Sequence, residues 1–534
     1  MHDIGDDNEE FNDTPDSFSN IPQTNYPLAI TFRKFLTMLD VGKSKSRALQ
    51  AYIATKEVDY EKFSCSYWPH FNAKLTKDLD ASTVFKQIIS HIKGGNQASK
   101  SPNGKLEKQD YIMLFDRRFP SLRTKMRDKI YDIYLCYEKK KCAAGEFDLS
   151  DFVNSLYSRL STDSYSGDMV DFIYIDEVQD LAMNQIALLK YVCSNYEEGF
   201  IFAGDAAQTI ARGIDFRFED IRSFFYIEFH SNAKHGKMLH VSDMFQLSQN
   251  FRTHYGILSL SQSIMDLLYY FFALSVDKLN PETSLVHGDT PLLLESFNGE
   301  NALTTVFGGN NGEQNERNMF GADQVIVARD DTTRKHVAGI VGKQAIVLTI
   351  LEAKGLEFED VLLYNFFSSS PFRNKWRVVY GYMEGNDIFP SSKKISYPEF
   401  DGNKHFLLCS ELKQLYVAVT RTKQRLWICE DDNDVCQTAN PYLTTGKCCA
   451  SYKLFNEKQF GMAEMCFQKA GDEHREKLAR AADLVSSGER LVSGNWRRGQ
   501  TFFVQAAKIY DSIGKHEKAA TCYIKSRDFM KAGS

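Results

Sequence analysis

Long apolar runs are missing from this chain. The most apolar stretch, Leu267 to Val276, is about half the length a membrane span requires. No Cys-x-x-Cys pair occurs among the 11 cysteines, an odd and scattered set. That pattern argues against a disulfide framework and against zinc, and suits reduced thiols. The acidic, polar first residues do not read as a secretory or transit signal. Positive charge is scarce there too. Asp3, Asp6, Asp7, Glu9, Glu10, Asp13 and Asp16 fall within residues 1–20, which hold no Lys or Arg. They account for the net charge of −6, and without them the chain is close to neutral. Net charge therefore neither supports nor excludes nucleic-acid contact, which needs only a locally basic channel. These absences point to an intracellular protein, nuclear or cytoplasmic, with no membrane partner.

What is present is ordinary for a globular protein: 534 residues, 43% hydrophobic and 25% charged. That length predicts three or four domains at roughly 100–200 residues each. Residues 1–24 read as a disordered acidic linker. A short strand, Tyr26–Phe32, and an apolar helix, Lys34–Leu39, follow. From 58 to 165 the pattern is mostly helical, with a loop near 94–105 and a long helix near 121–141. The lead-in and that helix carry Arg117, Arg118, Arg123, Lys125, Arg127, Lys129, Lys139, Lys140 and Lys141. Lys and Arg at phosphates make binding salt-dependent, and Tyr67 or Trp68 could stack a base. The plainer reading is a solvated helix face and a core aromatic pair.

Six short apolar runs read as buried parallel strands separated by helices: Phe172–Ile175, Phe200–Ala203, Val325–Ala328, Ala345–Ile350, Val361–Phe366 and Arg425–Cys429. The gap between the second and third marks a domain boundary. Residues 296–322, rich in Asn and Gly, read as a loop. The last stretch is helical near 456–470, 473–490, 497–513 and 515–531. Ala463, Cys466 and Phe467 recur as Ala519, Cys522 and Tyr523 at a spacing of 56, a degenerate repeat unlike the roughly 34-residue period of a tetratricopeptide array.

Five segments carry chemistry. Asp176-Glu177-Val178-Gln179-Asp180 follows a strand, where carboxylates can hold Mg²⁺ and orient an attacking water. Gly204-Asp205-Ala206-Ala207-Gln208 follows the next strand, and Gln208 could bond both a γ-phosphate and that water. Arg252 ends Gln249-Asn250-Phe251-Arg252, and Arg421 ends Val417-Ala418-Val419-Thr420-Arg421. Guanidinium groups match phosphate oxygens in bidentate fashion. Lys354-Gly355-Leu356-Glu357-Phe358 lies between two strands, where Glu357 could meet a ribose hydroxyl. Singly, each is more often a turn or a surface residue.

Together, in this order, the five resemble the core of UvrD-like superfamily 1 helicases over about residues 26–440. The resemblance implies an α/β fold of two RecA-like parallel-sheet domains, with a helical insertion and a C-terminal α-helical, TPR-like array. The implied boundaries are 1–24 linker, 25–57 and 166–275 first RecA-like domain, 58–165 insertion, 276–445 second RecA-like domain and 446–534 array. It implies ATP and Mg²⁺ as ligands and single-stranded DNA or RNA as partner, with protein partners for the array. It implies Asp176 and Glu177 for Mg²⁺ and water activation, Gln208 for phosphate sensing, Arg252 and Arg421 as γ-phosphate arginines, and Glu357 for the ribose. Thr31-Phe32-Arg33 resembles a strand-contact segment that usually reads Thr-Phe-His. Tyr67-Trp68-Pro69-His70-Phe71-Asn72, Gly145-Glu146-Phe147-Asp148-Leu149 and the run from Gln208 to Phe218 resemble the large TPR and ankyrin repeat-containing proteins, particularly their plant relatives.

The chain departs from that pattern at one essential place. Gly-x-x-x-x-Gly-Lys-Ser/Thr, whose amides and lysine hold the β- and γ-phosphates, does not occur. Gly42-Lys43-Ser44 has Thr37 where the first glycine is needed. Leu351 stands where the family commonly has His, which bears on strand-coupled unwinding. Two expectations follow: a piece of a longer ATPase whose phosphate loop lies elsewhere, or a catalytically inactive pseudo-ATPase serving as an interaction scaffold.

Overall fold

The computed structural model describes residues 15–40, 55–118, 124–227, 241–295, 323–385, 397–430, 473–491 and 496–528, apart from 78, 164, 196–197, 212 and 343–344, together with 460, 461, 464 and 531. It is mixed α/β with parallel sheets and many helices. The chain divides into two units: 1–246 with 268–279 and 401–413, and 247–267 with 280–400 and 414–534.

In the first unit, β1 (Ile173–Ile175) and β2 (Phe200–Phe202) pair in parallel, Ile173 opposite Phe200. Parallel neighbours need a crossover, and the helix Met183–Ala187 lies on it. Behind them packs a core that includes Phe35, Leu36, Val153, Leu156, Val178 and Leu188. The expected strand Tyr26–Phe32 is not one. Thr31 instead caps the helix Phe32–Leu39, its side chain accepting the Lys34 amide at 3.2 Å. Leu28, Ile30 and Phe32 still pack on the core. So does Phe18, 5% exposed, in the part of the expected linker that is described.

The insertion forms its own core around Phe63, Phe85, Ile88, Tyr111, Ile130 and Tyr134. The long helix spans Thr124–Ala143. The expected loop near 94–105 includes the short helix Asn96–Lys100. Asp148 starts the helix Leu149–Thr162 with a reciprocal cap, the Asp151 amide bonding its side chain at 3.0 Å.

The second unit holds a five-stranded parallel sheet in the order β5-β9-β8-β6-β7. These are β5 (Leu292–Glu295), β6 (Gln324–Ala328), β7 (Ile346–Thr349), β8 (Phe358–Tyr364) and β9 (Thr422–Glu430). Val325, Ile326, Val327 and Ala328 are all fully buried, as a strand covered on both faces requires. β3 (Gln249–Asn250) and β4 (Thr283–Ser284) form a separate parallel pair. The two-residue strands carry no apolar run, and β5 is a run of three leucines not among the six expected strands. Helices Glu473–Leu491, Trp496–Ser512 and His516–Lys525 share a small core of Ala481, Ala506, Ala507, Tyr510, Ala519, Cys522 and Tyr523. The repeat partners Ala463, Cys466 and Phe467, the loop 296–322 and Gly42-Lys43-Ser44 lie outside the described residues. Among the described residues no helix is long and apolar enough to cross a membrane.

Candidate functional site

The end of β1 turns sharply. Asp176 is exposed, and its Oδ1 accepts the Glu177 amide at 2.9 Å. Glu177 itself sits in the left-handed region, φ 51° and ψ 38°. A non-glycine residue there is uncommon, and such strain gathers at functional sites. The strain is held by Gln179, which is fully buried. Its Nε2 donates to the Glu177 carboxylate, and its Oε1 accepts the Asp205 amide at 3.1 Å. One buried amide thus ties the end of β1 to the end of β2.

Asp205 continues the chain of contacts. Its carboxylate caps the short turn Ala206–Gln208, accepting the Ala207 amide at 2.9 Å, and takes the Gln208 side-chain amide at 3.1 Å. Gly204 is required by close approach: a Cβ there would meet Gln179 Oε1 at 2.1 Å. Asp176, Glu177 and Gln208, singled out in the sequence, therefore share one network in the first unit. Gln179 and Asp205 hold it together. Both lie inside the quoted motifs, but their roles appear only with the contacts. Asp176 is an exposed oxygen donor, the ligand chemistry Mg²⁺ takes.

The second unit gathers the remaining residues. Arg252 is exposed, and its Nη2 pairs with Glu357 Oε1 at 2.5 Å. Lys423, which the sequence reading passed over, lies 3.8 Å from the other Glu357 oxygen. Arg421 is 1% exposed. Its guanidinium donates to the carbonyls of Val417 and Leu356, each at 3.1 Å, and so grips the turn that leads to Glu357. Gly355 makes that turn at φ 79°. The Arg252 loop is pinned by the next two residues. Thr253 Oγ1 donates to the Lys423 carbonyl at 3.1 Å, and His254 Nε2 bonds the Gln424 carbonyl at 2.6 Å. Arg252, Lys423 and Glu357 form one mixed-charge cluster near the start of β9, and Arg421 braces it through the Leu356 carbonyl.

The basic stretch of the insertion is partly structural. Arg127 is buried and donates to the Ile112 carbonyl at 2.8 Å. Lys141 is buried among Asp148 at 2.7 Å, Glu138 at 2.6 Å and Asp151 at 2.5 Å, with Lys93 beside it. Those three carboxylates are close enough to share a cation, but Lys93 and Lys141 already pair with all three and offset two of their charges. Burial works against the Asp148 carboxylate, yet Lys93 and Lys141 hold it well below the usual range. Tyr67 is buried against Tyr137 and donates to Glu146, and Trp68 is half-buried beside Phe63. Tyr67 is thus core rather than a stacking platform. Arg33 is spent on Glu57, at 2.6 and 3.1 Å.

Residues 24–229 match the family model described as UvrD/REP helicase N-terminal domain. The chain is 30% identical over 519 residues to TPR and ankyrin repeat-containing protein 1 of Homo sapiens. The match covers 89% of this chain and 17% of that protein. The family-model match supports a UvrD-like helicase domain, and the second match is consistent with it; the chain spans a small fraction of that relative's length.

Proposed function

We propose that the chain is the core of a UvrD-like, ATP-dependent translocase acting on single-stranded DNA or RNA. The two units are RecA-like domains, and the C-terminal helices are a TPR-like array that binds protein partners. The observation that carries this reading is the strained Glu177 backbone, locked by Gln179 to the turn bearing Gln208. Strain of about 1–3 kcal/mol persists only where surrounding contacts over-determine it.

The assignment of roles follows the chemistry of each side chain. Asp176 holds Mg²⁺ at the strand end. Mg²⁺ held there would supply positive charge to the phosphate oxygens. Glu177 accepts the proton of the attacking water, and Gln208 orients that water against the terminal phosphate. Arg252 supplies positive charge to the transferring group, Glu357 accepts from the ribose, and Arg421, buried and bonded to the Val417 and Leu356 carbonyls, holds the turn that leads to Glu357. Lysine and amides from a glycine-rich loop are also needed, and the 534 residues carry no such motif. The chain by itself therefore binds nucleotide weakly, and the reading fits a piece of a longer enzyme. The same missing motif favours a second reading, a pseudo-ATPase whose helicase-like core is an interaction scaffold.

Turnover of Mg–ATP with single-stranded nucleic acid separates them. Turnover lost in Glu177→Gln supports the translocase. Turnover that survives the substitution refutes the assigned site. No turnover in a polypeptide that also carries a phosphate loop leaves the scaffold.

A further inference from the structure

Lys413 is a buried cation that the proposed chemistry does not use. It lies on the helix Gly402–Thr420 and is 5% exposed. Its Nζ donates to two main-chain carbonyls, Ala206 at 3.1 Å and Ser275 at 3.0 Å. The charged and titratable groups facing it are Cys409, Asp215, Lys86 and Asp205. Burial depresses its ammonium below the usual lysine value, while Cys409, Asp215 and Asp205 oppose that shift. Holding an ammonium there is costly unless its bonds achieve something.

The acceptor shows what they achieve. Ala206 opens the turn Ala206–Gln208. Its carbonyl also takes the Thr209 hydroxyl at 2.8 Å, just past Gln208. Asp205, which faces the same ammonium, takes the Gln208 side-chain amide. The buried charge therefore fixes the backbone at the start of the turn directly, beside the Asp205 carboxylate that holds the Gln208 side chain. We propose that Lys413 is a positioning residue that fastens the turn carrying Gln208. This rests on the reading of Gln208 as the phosphate-sensing group.

Hydrogen exchange by mass spectrometry on the whole chain tests the fastening, whether or not the chain turns ATP over. In Lys413→Met, amides of residues 205–210 are expected to exchange about tenfold faster or more, as loss of a charge-assisted bond predicts. The helix Thr124–Ala143 serves as the control and stays unchanged. Lys413→Arg, which keeps a charged donor, retains most of the protection. Where Mg–ATP turnover is measurable, Lys413→Met lowers kcat by about 10- to 100-fold with KM for ATP nearly constant, the mark of a misplaced group. Unchanged protection of 205–210 in a folded Lys413→Met overturns the proposal, as does lost protection with full turnover. Absence of turnover in a polypeptide that also carries a phosphate loop counts against the reading of Gln208, not against the fastening. Should Lys413→Met fail to fold, Lys413→Gln is read in the same way.

Discussion

Lys141→Met should cost far more than its place in a basic run suggests. In the folded chain its ammonium touches three carboxylates, and Asp148, with no exposed surface, has only Lys93 as its other cation. Methionine fills similar volume, so lost packing is small. What remains is the buried Asp148 carboxylate and two part-exposed ones, Glu138 and Asp151, with one lysine. Removing one partner of a buried ion pair costs about 3–5 kcal/mol, against about 0–1 kcal/mol for an exposed pair. At 1.4 kcal/mol per tenfold, amide exchange in the core of helix Thr124–Ala143 should accelerate by roughly two to three and a half orders of magnitude. The double substitution Lys141→Met with Asp148→Asn should recover much of that, because asparagine still caps the helix and removes the stranded charge. The acid response has a defined sign. The Asp148 carboxyl is held below its ordinary 3.8, so its contribution is complete above about pH 5 and is lost as pH falls through the depressed value. An acceleration of less than about fivefold, or a double variant no better than the single, would refute the reasoning.

Two further substitutions separate structure from chemistry. Gly204→Ala drives a Cβ to within 2.1 Å of Gln179 Oε1 and should cost about 1–3 kcal/mol by displacing that amide; unchanged exchange of the Asp205 amide would contradict this. Arg252→Ala breaks a pair whose partners are 40% and 33% exposed, so stability should change by less than about 1 kcal/mol. In a polypeptide that turns ATP over, the same change should lower kcat by about 10³-fold or more, and a matching loss of stability would argue for a merely structural arginine.

Much of the α/β framework was legible because buried parallel strands are continuous apolar runs. Val325–Ala328 was read as a strand, and β6 forms there with both faces covered. Tyr26–Phe32 misled because its apolar residues pack on the core without joining a ladder, while Thr31 has a cap to make. β3 and β4 span two residues each and carry no periodic signal. Within the motifs, the order of segments located Asp176, Glu177 and Gln208, and the network joins them. The roles of Gln179, Asp205 and His254 are not legible in the sequence, because they are defined by partners distant along the chain. The same holds for Lys141, whose charge reads as surface until Asp148 and Asp151 close over it.

The most direct test uses an ATP analogue with a photoreactive group on its terminal phosphate, at millimolar concentration with Mg²⁺, on the whole chain. The account predicts labelling of the peptide holding Asp176–Asp180, suppressed by excess ATP and weakened in Asp176→Asn. No label on that peptide, or label that excess ATP leaves untouched, would contradict it.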